Sequence, residues 1–334
     1  MRGRIAAGAL GALLVLSSLL VAPAAAASPI VARASFPEID ASDRGTDVVL
    51  LQLLLRSHAG RYRIVRGLEP TGTIDTPTRL ALLLFQRTHG LRPDARMDAR
   101  TWSALAPEIG RGDSGPAVEA LQLAIHRKLG WDVPLDGSFG SATERVVRRF
   151  QKEVGLRPTG RVSTTTWRVL AWHYERPSFA LPGLCDYSTI NGREANWATS
   201  SVVAWLERAA TIFHERTGMT IAVGDLSRRF GGPLPGHRAH DRGIEADLRP
   251  IRTDGRQCTV RGTFAGSSVY HRNATRRMIR ALESASEERL TWVVFNDPAL
   301  VAEGLTTPDA SHADHLHLVW CDLSARDILY RCAR

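Results

Sequence analysis

The sequence of 334 residues is short of aromatics (7%) and of cysteine, with four, and acidic residues are outnumbered, 34 Asp and Glu against 43 Lys and Arg. Beyond residue 21 no apolar run is long enough to cross a bilayer. The only strongly apolar run, Ile5 to Val21, follows Arg2 and Arg4 and leads into Ala25-Ala26-Ala27, the pattern of a secretory signal peptide over 1–27. Its removal lowers the formal charge from +9 to +7 and leaves no segment for stable membrane insertion. A basic exported chain is drawn to polyanions, which outside a membrane are wall polymers and anionic lipid rather than nucleic acid. None of Cys185, Cys258, Cys321 and Cys332 forms a C-x-x-C pair, which argues against a zinc-thiolate site. An even count in an exported chain reads as disulfides, with three connectivities open. A Cys185–Cys332 bridge, tying the ends of the last domain together, is the pairing expected.

A content of 44% hydrophobic and 23% charged residues is ordinary for a globular chain, and the length suits two or three domains. The first half contains a duplication. "TGTIDTPTRLALLLFQRTHGLRPDARMDARTWSAL" aligns with "DGSFGSATERVVRRFQKEVGLRPTGRVSTTTWRVL", so that Phe85-Gln86 matches Phe150-Gln151 and Thr101-Trp102 matches Thr166-Trp167. Upstream, "VVLLQLLL" and "AVEALQLAI" open each unit, and a longer loop follows the first. Apolar spacing at i, i+3, i+4 and i+7 between glycine-containing turns predicts two small all-α three-helix units, over 43–106 and 109–172. Trp102, Trp167, Phe85 and Phe150, at helical spacing, read as core. The units resemble the peptidoglycan-binding domain of wall hydrolases, with its V-x-x-L-Q, G-x-F-G-x-x-T, F-Q-x-x-x-G-L and T-W-x-x-L elements. The second copy matches nearly all of them, whereas the first has "GTIDTPT" in place of the second element.

Residues 173–183, with two prolines and no periodicity, read as a linker into a last domain over 184–334. "SSVVAWLERAATIFHERTG" predicts a helix capped by Gly218, "TIAVGD" a strand, "NATRRMIRALESASEE" a helix with Asn273 as N-cap, and "LTWVVFN" a strand. Without βαβ regularity this mixture implies an α+β domain.

Five of the eleven histidines fall in two windows of that domain, "GHRAHDRGIEADLRP" and "SHADHLHLVW". His58, His89, His126, His173, His214 and His271 read as satisfied polar side chains. In the first window Ile244, Ala246 and Leu248 alternate with Glu245, Asp247 and Arg249, a half-buried strand with Glu245 and Asp247 on its polar face. A turn at Gly243 can bring His240 back toward Asp247. In the second, His315 and His317 share a side if they lie on a strand, so one can bind a metal while the other addresses what the metal binds. His240, Asp247 and His317 form a three-ligand N/O set of the kind catalytic zinc takes, with a fourth position left for water.

These windows, with "VGDLSRRFGGPLPG" before the first, resemble the penicillin-insensitive murein endopeptidase family, zinc peptidases related to lysostaphin-type and D-Ala-D-Ala peptidases and to the hedgehog fold. The family pattern is G-D-x-S, G-G, G-H-x-x-H-x-x-G-x-D-x-D and then H-x-x-H-x-H; Glu245 stands where it has Asp. The resemblance spans about Leu184 to Trp320 and implies Zn2+ on His240, Asp247 and His317, with His315 as the catalytic histidine. His237 and His312 fall on further active-site histidines, each expected either to bond the bound water or substrate or to orient a metal ligand. Asp314 is a rival base, because D-Ala-D-Ala peptidases place a carboxylate three residues before the last ligand; on an unbroken strand it points away from His315 and His317. The implied activity is endopeptidase cleavage of peptidoglycan cross-links by an extracytoplasmic enzyme held on its polymer by the repeats. Two alternatives are a D-Ala-D-Ala-type carboxypeptidase of the same fold and an inactive zinc-containing wall-binding protein.

Overall fold

The computed structural model describes residues 28–60, 63–188, 195–237, 239–260, 262–321 and 332. The leader expected over 1–27 lies outside the described residues. After a short helix α1 (Pro29–Arg33), the first repeat contains α2 (Thr46–Ser57), a single turn α3 (Arg63–Arg66) in its longer loop, α4 (Thr76–Thr88) and α5 (Ala99–Leu105). The second contains α6 (Pro116–Ala124), continued by a π-helical turn over Ile125–Leu129, then α7 (Ser141–Val154) and α8 (Thr164–Trp172). Asp75, Asp98 and Ser163 cap α4, α5 and α8 by accepting from backbone N–H groups of the first turn.

The repeated letters have structural causes. Gln52 Nε2 donates to Thr73 O and Thr78 Oγ1 while its Oε1 accepts from Gly72 N; Gln122 does the same with Ser138 O, Thr143 Oγ1 and Gly137 N. Gln86 and Gln151 brace the next turn, accepting from Ala95 N and Gly160 N. A buried amide that satisfies three or four backbone and hydroxyl groups holds a turn that has no ladder of its own. Trp102 and Trp167 are buried and donate to Pro37 O and Pro107 O, each at 2.7 Å. The core reading of these aromatics therefore agrees with their burial. Helices α2 and α6 pack together, and the buried residues from Val31 to Ala171 form one shared core.

The last domain has a five-stranded sheet in the order β1-β2-β3-β5-β4, where β1 is Leu184–Asp186, β2 Ile221–Val223, β3 Glu245–Leu248, β4 Leu290–Val294 and β5 Leu316–Trp320. Only β1 and β2 are parallel. Helices α9 (Ser200–Thr217) and α10 (Arg272–Ser286) pack against each other, and α11 (Pro298–Ala302) follows β4. Gly218 ends α9 in the left-handed region as expected, whereas His271 rather than Asn273 caps α10. All four residues of β3 are buried, so it is covered on both faces and not half-buried. This domain mixes helices with a mixed sheet, an α+β arrangement.

Cys185 pairs with Cys258, and Cys321 with Cys332. The expected Cys185–Cys332 bridge is overturned because β1 lies at the sheet edge, beside the loop that Gln257 fastens to Thr220 O. Cys332 is instead held near Cys321 and Arg289.

The segment over 173–183, expected as a linker, is packed at its start. His173 and Glu175 are buried, and Glu175 exchanges backbone hydrogen bonds with Ala198 at 2.9 Å each way. The buried Lys128 causes this, reaching Ala171 O, His173 O and the Asp47 carboxylate at 3.0, 2.9 and 2.8 Å. An ammonium out of water requires such a complete set of acceptors.

Candidate metal centre

Strands β3 and β5 are neighbours at the centre of the sheet, and their register places Asp247 directly opposite His317. Cross-strand partners sit about 5 Å apart, close enough for both side chains to meet one ion. His317 Nδ1 stands 3.0 Å from Asp247 Oδ1, and His240 Nε2 stands 3.2 Å from the same oxygen. Donors about 2.0–2.1 Å from a tetrahedral ion are separated by roughly 3.3 Å. Both spacings therefore suit ligands of one small divalent cation.

His240 arrives by an unusual route. Its φ of 69° lies in the left-handed region, rare for a residue with a β-carbon, and its backbone N–H donates to the buried Glu245 carboxylate. Its Nδ1 faces Leu226 O at 2.5 Å, which turns Nε2 toward Asp247. Gly243 closes the turn with φ of 69°; a β-carbon there would come within 2.7 Å of the Tyr174 ring. The packed connection thus supports the histidine loop, and Tyr174 also donates to Arg242 O.

His237 pairs its Nε2 with Asp225 Oδ2 at 3.0 Å and brings Nδ1 to 4.0 Å from Asp247 Oδ2. His237, His240 and Asp247 place ligand atoms within 4.8 Å of one another, so two possible ligand triplets share His240 and Asp247. Burial alone would raise the Asp247 pKa, but hydrogen bonds from His240 and His317 hold it far below the usual carboxylate range. Burial would lower that of His240, and Asp247 outweighs it and raises it.

The second window departs from the expected strand. Hydrogen bonding of β5 begins only at Leu316, so residues 312–315 form an irregular bend and strand alternation does not govern them. His315 still approaches the centre, with Nε2 at 3.9 Å from Asp247 Oδ1. Asp314 does not point away: its Oδ1 accepts from His315 Nδ1 at 2.8 Å. The His312 ring stands 4.8 Å from that of His315 and 5.5 Å from that of His317, and its Nδ1 is 3.0 Å from Asp309. All the histidines singled out in the two windows therefore converge, with Glu245 behind the backbone of His240 and Asp314 behind His315.

Two residues were not singled out. Asp225, in the quoted "VGDLS", was visible as motif but not as the partner of His237. Arg249 is read from the sequence only as a polar position alternating along the strand with Glu245 and Asp247. Of the histidines read as ordinary, His58, His89, His173 and His214 each meet a backbone carbonyl, and His271 caps a helix.

Comparison with known proteins gives two families. Residues 44–105 and 114–170 match the peptidoglycan binding domain, and residues 185–288 match the penicillin-insensitive murein endopeptidase. The second match includes the first histidine window and ends before the second. Among curated proteins the chain is 40% identical over 70 residues to an uncharacterized protein of Kitasatospora aureofaciens, covering 21% of this chain and 59% of that one. It is 30% identical over 129 residues to the zinc D-Ala-D-Ala carboxypeptidase of Streptomyces albus G, covering 37% of this chain and 49% of that one. The chain thus spans about half the length of the curated relatives it matches. A peptidoglycan-binding protein from Clostridioides difficile, solved with glutamine hydroxamate, shares 39% identity over 20% of this chain and 41% of its own, with a TM-score of 0.19. The order along the chain is therefore two matches to the peptidoglycan binding domain followed by one to the penicillin-insensitive murein endopeptidase family.

Proposed function

We propose that this protein is an exported zinc peptidase that hydrolyses peptide cross-links of peptidoglycan, held on its substrate by the N-terminal repeats. The observation that carries the reading is the convergence of His240, Asp247 and His317 on one point with His315 beside it. Two imidazoles and one carboxylate are the donor set zinc takes in hydrolases, and the 3.0 and 3.2 Å spacings fit it. His317 is preferred to His237 as third ligand because its nitrogen is closer to Asp247, at 3.0 Å against 4.0 Å. Zinc, when bound, polarises a carbonyl and lowers the pKa of water to about 7.

The chain's own residues supply the rest. Asp247 would supply the carboxylate of the set, fixed opposite His317 by the register of β3 and β5. His315 takes a proton from the attacking water as the carbon–oxygen bond forms, and delivers it to the departing amine as the carbon–nitrogen bond breaks. His312, with its ring 4.8 Å from that of His315 and 5.5 Å from that of His317, steadies the water or substrate, and His237 with Asp225 supports Asp247 from the other side. Glu245 fixes the loop that presents His240.

Cross-linked muropeptide dimers, incubated with the zinc-loaded protein with and without a chelator, test the reading. Chelator-sensitive conversion to monomers is expected. His317→Ala should lose zinc and activity together, whereas His315→Ala should keep zinc and lose about 100-fold or more in rate. The match to a zinc D-Ala-D-Ala carboxypeptidase favours a second reading, recognised by release of alanine alone. Intact dimers with full zinc occupancy would leave a wall-binding protein without this activity.

A further inference from the structure

We propose that Arg249 is a positioning residue that acts on His315 through Asp314; the inference rests on the site reading above. Arg249 follows β3, its backbone N–H donates to Ala222 O at 3.0 Å, and its guanidinium lies 4.2 Å over the buried Tyr187 ring. From there one nitrogen, Nη1, donates both to Asp314 O at 3.0 Å and to Asp314 Oδ2 at 3.1 Å. The other carboxylate oxygen, Oδ1, accepts from His315 Nδ1 at 2.8 Å, and His315 Nε2 is left facing Asp247.

The need for such an anchor comes from where these residues sit. Asp314 is 47% exposed and lies in a bend, after His312 and Ala313, whose carbonyls accept from Asn296 N and Ala265 N, and ahead of the first ladder hydrogen bond of β5, so the sheet ladder does not fix its side chain. An exposed carboxylate beside an imidazole on adjacent residues has several rotamers, and only one puts Nδ1–H on Asp314 and Nε2 toward the metal centre. Arg249, on the rigid end of β3 and seated on Tyr187, selects it by gripping backbone and carboxylate together. Both Asp314 oxygens are then committed, which makes Asp314 the orienting partner of His315 rather than a competing base. The arrangement divides labour as a nucleophile's base and its orienting carboxylate do elsewhere, with the arginine as a third, fixed member.

The full-length mature protein, zinc-loaded, tests this with Arg249→Gln, Asp314→Asn and the double variant. Each single variant should keep one zinc and a KM within about twofold of wild type while kcat falls about 10- to 100-fold. The double variant should be no slower than Asp314→Asn, because both act along one path. A multiplicative loss, or a loss confined to KM, would show Arg249 acting on substrate directly and overturn the proposal. A readout independent of turnover is the hydrogen-bonded His315 Nδ1 proton in NMR of the zinc-loaded protein. It should be present in wild type and lost in Arg249→Gln; its persistence in that variant overturns the proposal even if no muropeptide is cut. Uncut muropeptide with the proton behaving as expected would instead sink the peptidase reading alone.

Discussion

The two repeats share their bracing glutamines, their tryptophans and their helices, yet differ in what the same turn faces. In the first, the turn before α2 is pressed against the start of α9: Asp47 N donates to Ser200 Oγ at 2.9 Å, and Ser201 donates to Asp43 at 2.9 Å. A β-carbon on Gly45 would stand 2.8 Å from Ser200 O. In the second, the corresponding Gly115 has nothing within 4 Å. The long side chain after the first helix differs too. His58 reaches Leu105 O within its own repeat, whereas Lys128, one of two lysines in the chain, joins the second repeat to the connection and to Asp47 of the first. One copy of a duplicated unit has thus committed this face to the last domain, while the other leaves the same face open at Gly115 and meets that domain elsewhere, through Arg127 with Glu207 and Glu153 with Arg229. Duplication allows this, since the copies share a core and need not share a surface.

The largest effect that separates the copies should come from their long side chains. Lys128→Ala leaves the Asp47 and Glu175 carboxyls in a buried site without their cation and should destabilise by about 3–5 kcal/mol, against about 1 kcal/mol for His58→Ala. Equal losses in urea melts would erase the distinction.

Next is pH. Burial pushes the Glu175 carboxyl up to about 7, against the opposing pull of Lys128, from an ordinary value of 4.5. The folded form therefore holds a proton that the unfolded chain has released, and the associated stability is present below pH 4.5 and lost as pH rises to about 7. Glu175→Gln should gain on wild type by up to about 3 kcal/mol across that interval. Asp43, pushed up to about 6 mainly by burial, and His173, pushed down to about 3 by burial, contribute alike to both proteins and cancel in the difference. A difference that stays constant with pH would show Glu175 ionised in the fold.

The smallest contrast compares Gly45→Ala with Gly115→Ala. Both positions have positive φ, 89° and 99°, so both variants bear backbone strain. Only the first also overpacks the junction with α9, and it should be the worse by about 1–2 kcal/mol in thermal unfolding.

Much of this was legible as pattern. The repeats announced themselves because a buried Gln and Trp recur wherever the same turn must be satisfied, and the α+β domain because periodicity changes after residue 184. The histidine windows were legible as two halves of one site. Less legible was whatever depends on where a strand starts. Asp314 was expected to face away because alternation was assumed to run through it, whereas β5 begins two residues later and leaves it free to meet His315. The Cys185 pairing failed for a related reason, since disulfide partners follow sheet order and loop anchoring rather than the ends of a domain.

By itself, then, the sequence determined the residue chemistry: donor types able to hold a divalent ion, a duplicated helical unit, and the absence of any competing thiolate site. These are local properties, readable from side-chain type and spacing. The tertiary structure alone decided which donors meet, because β3 and β5 become neighbours only through a non-sequential strand order that sets Asp247 opposite His317. It also decided that Arg249 reaches Asp314 and that the two repeats meet the last domain through different faces. Such contacts join residues far apart in the chain, and their geometry is set by packing around two cores, which no local pattern encodes.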